Sequence, residues 1–276
     1  MSIDLHVHTT ASDGTDSPEQ VVLAAKKIGL GAIAITDHDT FAGIQPATEA
    51  GQKCGLKVIP GIELSTEYHQ LEIHILGYLP DMSDKALVER IAQFRAYRVK
   101  RMEKMVAKLR KLGLPVELDR VLEIAGNGAA GRPHLATAML ESGIIDNANA
   151  AFTEYIGKKC VAYVPRHQIT PKDAILLIRQ AHGIPVLAHP GSSNASSLIP
   201  ELIEAGLVGI EAYHPAHSWE LSEYYRKMGE NHNLIVTGGS DYHGLERRKG
   251  FRLGMYTVPD QVFCKMQEYK EEMIKI

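Results

Sequence analysis

The sequence predicts a parallel β/α protein interrupted by a helical insertion, and three observations predict it. Short β-branched runs alternate with segments of helical period across most of the 276 residues. Two of the helices carry complete start signals, a hydroxyl cap followed by proline. The alternation breaks once, between Pro80 and about Cys160, where helix follows helix. With 45% hydrophobic and 23% charged residues, a chain of this length can bury a sizeable core as one large domain, or as one domain with an insertion.

In chain order, the first strand is read at Ile3–Val7. The helix after it has Ser17 as cap, Pro18 at its first position, Gln20 to complete a capping box and Gly29 to close it. Strands follow at Ala32–Thr36, Lys57–Ile62 and Glu72–Leu76. In the helical stretch, Val99, Met102, Val106 and Leu109 fall at helical spacing. Within Arg95–Lys111 eight basic residues face a single acid, Glu103. Such a run is ordinarily a solvated outer face, and the alternative is a basic lid that attracts a phosphorylated substrate. Arg132-Pro133 can open a helix over Pro133–Leu140, and Thr170-Pro171 opens another that ends near Gly183. Strands at Pro185–Ala188, Gly209–Tyr213 and Leu234–Thr237 then alternate with helices at Ile199–Ala205 and Trp219–His232.

The formal charge of −3 gives no global pull towards nucleic acid or an anionic membrane, so any anion site must be local. No signal peptide is visible, and no apolar run reaches the ~20 residues of a membrane helix. Cys54, Cys160 and Cys264 are too few and scattered for a disulfide framework or a CxxC metal site, and read as reduced thiols. A cytoplasmic protein is expected, with no obligate protein partner evident.

The 13 histidines are the unusual number. In "LHVHTTASDG", His6 and His8 alternate along a strand and so point the same way, with Asp13 five residues on. His38 ends the second strand in "ITDHD", and Glu63 the third in "PGIELS". His74 lies in the fourth, in "EIHILGY". His189 ends the fifth in "VLAHPG", and His214 the sixth in "EAYHP". Asp241 and His243 follow the seventh in "GGSDYHG". Parallel β/α barrels build their sites at strand C-termini. Seven strands delivering His, Asp or Glu to one rim are hard to explain by packing, because each buried group would need its own partner. The reading is a metal site. Imidazole and carboxylate without thiolate suit Zn, Mn or Fe. The nine candidates His6, His8, Asp13, His38, Glu63, His74, His189, Asp241 and His243 are too many for one ion. Two or three ions bridged by Glu63 would use them.

The ordered motifs "HVHTTASDG", "ITDHDT", "PGIELS", "GRPHLA", "AHPG" and "SDYHG" resemble the polymerase-and-histidinol-phosphatase (PHP) family of metallophosphoesterases, over residues 3 to about 250. They look most like its small stand-alone bacterial members, which remove phosphate from nucleoside 3′,5′-bisphosphates or trim short RNA. The resemblance implies a distorted seven-stranded TIM-like β/α barrel with a helical insertion between strands four and five. It thereby implies a barrel domain of residues 1–80 and 160–276 and a lid of residues 81–159. It also implies a trinuclear centre. The first metal would take His6, His8, Glu63 and Asp241, the second Glu63, His74 and His189, and the third Asp13, His38 and His243. Asp13 stands where histidinol-phosphate phosphatases place histidine, which favours the nucleotide branch.

A metal-activated hydroxide would then hydrolyse a phosphate monoester, for which the 3′-phosphate of a nucleoside 3′,5′-bisphosphate is the leading substrate. Arg132 in "GRPHLA" is the candidate phosphate clamp, and His134 beside it a substrate contact. His214 would protonate the leaving group or orient the phosphate, or simply be a hydrogen-bonded rim histidine. His69, His167, His182, His217 and His232 read as surface histidines. Asp37 and Asp39 read as turn or cap residues, or as hydrogen-bond partners of His38. Within the same chemistry, the alternatives are a 5′-3′ exoribonuclease guided by the basic segment and a histidinol-phosphate phosphatase. Outside it stand a metal-dependent amidohydrolase and a non-catalytic metal-binding module. Against the amidohydrolase, Glu63 occupies the bridging position that a lysine holds there. Against the module, all nine ligand types are kept.

Overall fold

The computed structural model describes residues 1–275 apart from 70, 127, 166–168, 194 and 246–249. Strand β1 (Ser2–Val7) leads into helix α1 (Pro18–Lys27), followed by β2 (Ala32–Ile35) and α2 (Ile44–Cys54). Strands β3 (Lys57–Tyr68) and β4 (Leu71–Tyr78) come next, then the insertion of α3 (Lys85–Lys111), α4 (Leu118–Ala125), α5 (Arg132–Glu141) and a short α6 (Ala148–Ala150). The second half holds α7 (Pro171–Gln180), β5 (Ile184–Leu187), α8 (Pro190–Ser193), α9 (Ile199–Glu204), β6 (Gly209–Tyr213), α10 (Trp219–Asn231) and β7 (Ile235–Gly238). It ends with β8 (Val258–Pro259) and α11 (Gln261–Ile274). The expected capping box of Ser17 with Gln20 is formed, and Thr170 makes a second one with Asp173.

The strands make one nearly closed, barrel-shaped sheet in the order β7-β6-β5-β4-β3-β2-β1-β8. On the upper side the seam is closed by a parallel bridge between Val7 and Tyr242, whose carbonyl accepts from the His8 N–H at 2.8 Å. The all-parallel expectation fails at β4, which runs antiparallel to both β3 and β5. The reason is length. A parallel return needs a crossover of a dozen or more residues, and β3 continues to Tyr68, leaving only a tight turn. The eighth strand, antiparallel to β1, has two residues and no pattern to read.

Successive strands share a core of Ile3, Leu5, Ala34, Ile59, Leu76, Tyr78 and Val186. Val7, Ile33 and Ile35 pack instead on Val21 and Val22 of α1 and Ala47 of α2. The insertion has a core of its own, with Met102, Met105, Val106 and Leu109 of α3 against Val121, Leu135, Met139 and Ile156. The start of the same helix belongs to the barrel, since Leu87, Ile91 and Phe94 pack with Ile62, Ile175 and Ile178. Helix α3 therefore ties the insertion to the barrel. No helix among the described residues is long and apolar enough to cross a membrane.

Candidate metal centre

Glu63 is the centre of the site. Its Oε2 lies 3.1 Å from His8 Nε2, 3.1 Å from His38 Nδ1 and 3.3 Å from His6 Nε2. Its Oε1 lies 2.8 Å from His74 Nδ1 and 3.0 Å from His189 Nε2. Five imidazoles from four strands, two of them from β1, thus surround one carboxylate. Asp241 adds a second pole, with Oδ1 3.3 Å from His8 Nε2 and 3.5 Å from His6 Nε2. Asp13 adds a third, 3.2 Å from His243 Nε2. All nine residues expected as ligands are brought together. Eight of them form three overlapping groups: His6, His8, Glu63 and Asp241; His38, Glu63 and His74; and His8, Asp13, His38 and His243, while His189 meets the cluster through Glu63 Oε1.

The fold explains how each arrives. Pairing of β1 with β2 slips between Asp4 and Val7, a bulge that re-aims the end of β1. Because β4 is reversed, its first half stands at the rim, and the register places His74 opposite Ser65, two residues from Glu63 on the same face. Asp13 is held in a tight loop in which the Thr9 carbonyl accepts from both Ser12 and Gly14. A Cβ on Gly14 would lie 2.9 Å from the His8 carbonyl oxygen, so glycine is needed there. His189 and Asp241 adopt positive φ, +27° and +48°, a conformation non-glycine residues keep only where surroundings enforce it.

The cluster is short of positive charge. Burial opposes charge on His6, yet Glu211, Glu63 and Asp241 raise its pKa well above the ordinary value. Burial opposes it on His8 too, but Asp241 and Glu63 push that pKa up to about 9. Burial alone would raise Glu63, and His38, His74 and His6 hold it well below the usual range. Such a pocket takes up positive charge, either as protons on its imidazoles or as cations between them.

The outer hydrogen bonds favour cations. His6 Nδ1 donates to Glu211 at 2.9 Å, and His243 Nδ1 to the Asp241 carbonyl at 2.8 Å. His8 Nδ1 faces Ser12 Oγ at 3.4 Å, which in turn donates to Asp37 at 2.6 Å. These partners turn the Nε2 atoms inward as ligand atoms. His6 Nε2 and His8 Nε2 then stand 3.1 Å apart, and the buried Glu63 Oε2 accepts no directed hydrogen bond. The inward-facing Nε2 atoms of His6 and His8 crowd the Glu63 carboxylate, an arrangement that fits divalent ions.

Glu211 and Asp4, which are not among the sequence-derived candidates, belong to this frame, as does Asp37. Fully buried Glu211 also accepts the His189 N–H at 2.9 Å, tying two strand ends together. Asp4 accepts from Ser240, Gly254 and the His6 N–H, and burial pushes its pKa up to about 6. The available signal was an acid inside an otherwise apolar strand, in "SIDLHV" and "GIEAY". Asp37 anchors Thr9 and Ser12, a turn role, whereas Asp39 accepts from the Ser65 N–H and Arg98.

His214 Nδ1 accepts the Ala216 N–H, so its Nε2–H points to Asp241 Oδ2 at 3.3 Å. His134 Nδ1 accepts the Gly131 N–H and caps α5. The surface reading of His217 is overturned. It is 4% exposed, donating from Nδ1 to the Ala212 carbonyl and accepting the Gly191 N–H at Nε2, so the apparently polar "HSW" turn is a packed brace. His69, His182 and His232 are exposed as expected, and His167 lies outside the described residues.

Beside the cluster opens a cavity of about 360 Å³. Asp13, His38, His74 and His243 form one wall, while Arg98, Arg101 and Arg132 contribute another. The solvated-face expectation for the basic segment therefore holds only in part. Lys100, Lys104 and Lys108 are exposed, but Arg98 and Arg101 turn inward, and Arg101 is 6% exposed. A helix with eight basic residues over 17 positions cannot keep all of them on one side.

The family model for the PHP domain matches residues 4–183. The chain belongs to the PHP family. Among curated relatives, this PHP chain is 35% identical over 247 residues to the 5′-3′ exoribonuclease Rnm of Escherichia coli K12, covering 87% of this chain and 84% of that one. It is 33% identical to a phosphoribosyl 1,2-cyclic phosphate 1,2-diphosphodiesterase of Eggerthella lenta, covering 91% and 98%. It is 30% identical to a 3′,5′-nucleoside bisphosphate phosphatase of Chromobacterium violaceum, covering 88% and 87%. A solved structure from Bifidobacterium adolescentis, described as a candidate metal-dependent phosphoesterase, superposes with a TM-score of 0.89 at 32% identity over 96% of this chain and 94% of that one. The PHP chain is thus a metal-dependent phosphoesterase, and the non-catalytic reading falls.

Proposed function

We propose that this PHP enzyme hydrolyses a phosphate ester on a nucleotide that carries two phosphates, and that its substrate is a nucleoside 3′,5′-bisphosphate from which the 3′-phosphate is removed. The observation that carries this reading is the cavity with the His and carboxylate cluster on one wall and Arg98, Arg101 and Arg132 on another. One phosphate would meet the cluster and a second the guanidiniums, and the volume suits a ligand of mononucleotide size. The bisphosphate and phosphoribosyl cyclic phosphate in two relatives' names are both compounds with two phosphate groups. A second reading, a 5′-3′ exoribonuclease, is favoured by the E. coli relative, and a 5′-phosphorylated RNA end offers the same pair of groups.

The three residue groups would hold two or three divalent ions, Mn, Fe or Zn by ligand chemistry, with Glu63 shared between sites. Bound there, such ions supply Lewis acidity towards the phosphoryl oxygens and lower the pKa of water to near neutrality. The chain's own residues do the rest. Arg132 clamps phosphate, and His214, through its Nε2–H, steadies Asp241 or passes a proton to the leaving oxygen. His134, accepting the Gly131 N–H at Nδ1, fixes the start of the helix that carries Arg132.

Phosphate release from Mn-reconstituted protein tests the reading, comparing adenosine 3′,5′-bisphosphate, histidinol phosphate and a 5′-phosphorylated tetranucleotide with His8→Ala as blank. The bisphosphate should turn over fastest, and the variant should lose at least 100-fold. Faster consumption of the tetranucleotide would replace the first reading with the second, and turnover of histidinol phosphate alone would remove both.

A further inference from the structure

Arg132 enters the cavity between two aromatic rings. Its Cζ lies 5.9 Å from the centroid of Phe152 and 5.7 Å from that of Tyr163. Tyr163 also takes Arg101, whose Cζ is 5.5 Å from the same ring. One ring therefore serves two guanidiniums whose like charges would otherwise drive them apart. Each arginine is fixed from another side as well. Arg101 Nε donates to the Val164 carbonyl at 2.7 Å, and Arg132 Nη2 lies 3.1 and 3.2 Å from the two Glu72 oxygens. The backbone of Tyr163 is itself held, its carbonyl accepting from Lys108 Nζ at 2.7 Å and its N–H donating to the Cys160 carbonyl at 3.1 Å. Phe152 comes from a π-helical turn at Ala151–Tyr155, a rare geometry that often marks functional sites.

We infer that Tyr163, seconded by Phe152, is a positioning residue that holds Arg101 and Arg132 as a two-guanidinium receptor for the second phosphate of the substrate. The inference rests on the two-phosphate reading above. An aromatic face attracts a guanidinium through the ring quadrupole and leaves its N–H edges for hydrogen bonding to phosphate. Holding two flexible side chains in place before binding spares their ordering when the ligand arrives. The ring thus acts on affinity for the second phosphate, not on the bond that breaks.

The test is steady-state kinetics of the Mn-loaded full chain on adenosine 3′,5′-bisphosphate and on adenosine 3′-monophosphate, which lacks the second phosphate. The wild type should show the lower KM for the bisphosphate. Tyr163→Leu should raise that KM about five- to tenfold, in line with two cation–π contacts, with kcat within twofold. It should leave both constants for the monophosphate unchanged, and Tyr163→Phe, which keeps the ring, should stay within twofold of wild type on both substrates. Equal losses on the two substrates, or an unmoved bisphosphate KM, would overturn the inference. If Tyr163→Leu does not fold, Phe152→Leu decides, since no selective rise in its bisphosphate KM has the same meaning. A wild type that does not distinguish the substrates would overturn the two-phosphate reading itself, and this result is read before any variant is made.

Discussion

At the scale of the residue, this site is governed by competition between protons and cations for the same nitrogens. With its pKa pushed up to about 9 by Asp241 and Glu63 against the cost of burial, His8 is protonated at pH 7 in the metal-free protein. A metal ion must expel that proton, and the one that Glu211, Glu63 and Asp241 hold on His6, so apparent metal affinity should climb with pH above neutrality. Calorimetric titration with Mn in buffers of different ionisation heat would report it as proton release at pH 7. Identical heats in all buffers would contradict the assignment of His8. The nine candidate ligands could be picked out from sequence as one cluster, because imidazoles and carboxylates falling repeatedly at strand ends leave few alternatives. The residues that orient them were not. Glu211 sits mid-strand in "GIEAY", and only the fold shows that it faces His6 and the backbone of His189.

At the scale of the element, close approach matters more than propensity. Gly239 follows β7, and a Cβ there would lie 2.4 Å from both the backbone nitrogen and the Cβ of His6. Neither can yield without shifting β1. Gly239→Ala should therefore cost about 1–3 kcal/mol, as overpacking does. It should also lower the Mn content at fixed free metal, because His6 moves with its strand. Urea unfolding and metal analysis would check both, and a variant with wild-type metal content would show that β1 can give way. Six of the seven principal strands could be read within a few residues, since β-branched runs between glycine and proline signals define them, whereas β3 runs six residues past its expected end at Ile62. Strand direction could not, because period alone carries no sense of direction. Helix α2 also escaped, its "IQPATEAGQKC" being interrupted by Pro46 and Gly51 and having no capping side chain. The two residues of β8 are too few for any period to register.

At the scale of the molecule, the barrel brings the ligands and the insertion brings the arginines, joined by the single long helix α3. Metal should thus stabilise the barrel more than the insertion core. At free metal 100-fold above Kd, binding contributes about 2.7 kcal/mol, which for a chain of this size corresponds to roughly 5–10 °C in Tm. Treatment with a chelator should lower Tm by that amount and abolish phosphate release, with recovery on adding Mn. An unchanged Tm would mean that the native chain binds no metal at that concentration.

The closing of the seam by Val7 and Tyr242 has a further consequence, for biosynthesis. His6 and His8 leave the ribosome among the first ligands, while Asp241 and His243 leave last, after both strand β7 and the entire insertion. Because domains fold as units during synthesis, a nascent chain holds at most a partial set of donors until residue 243 has emerged. The complete ligand cluster, and any chemistry that needs it, therefore comes into being only after strand β7 and the loop that follows it have emerged.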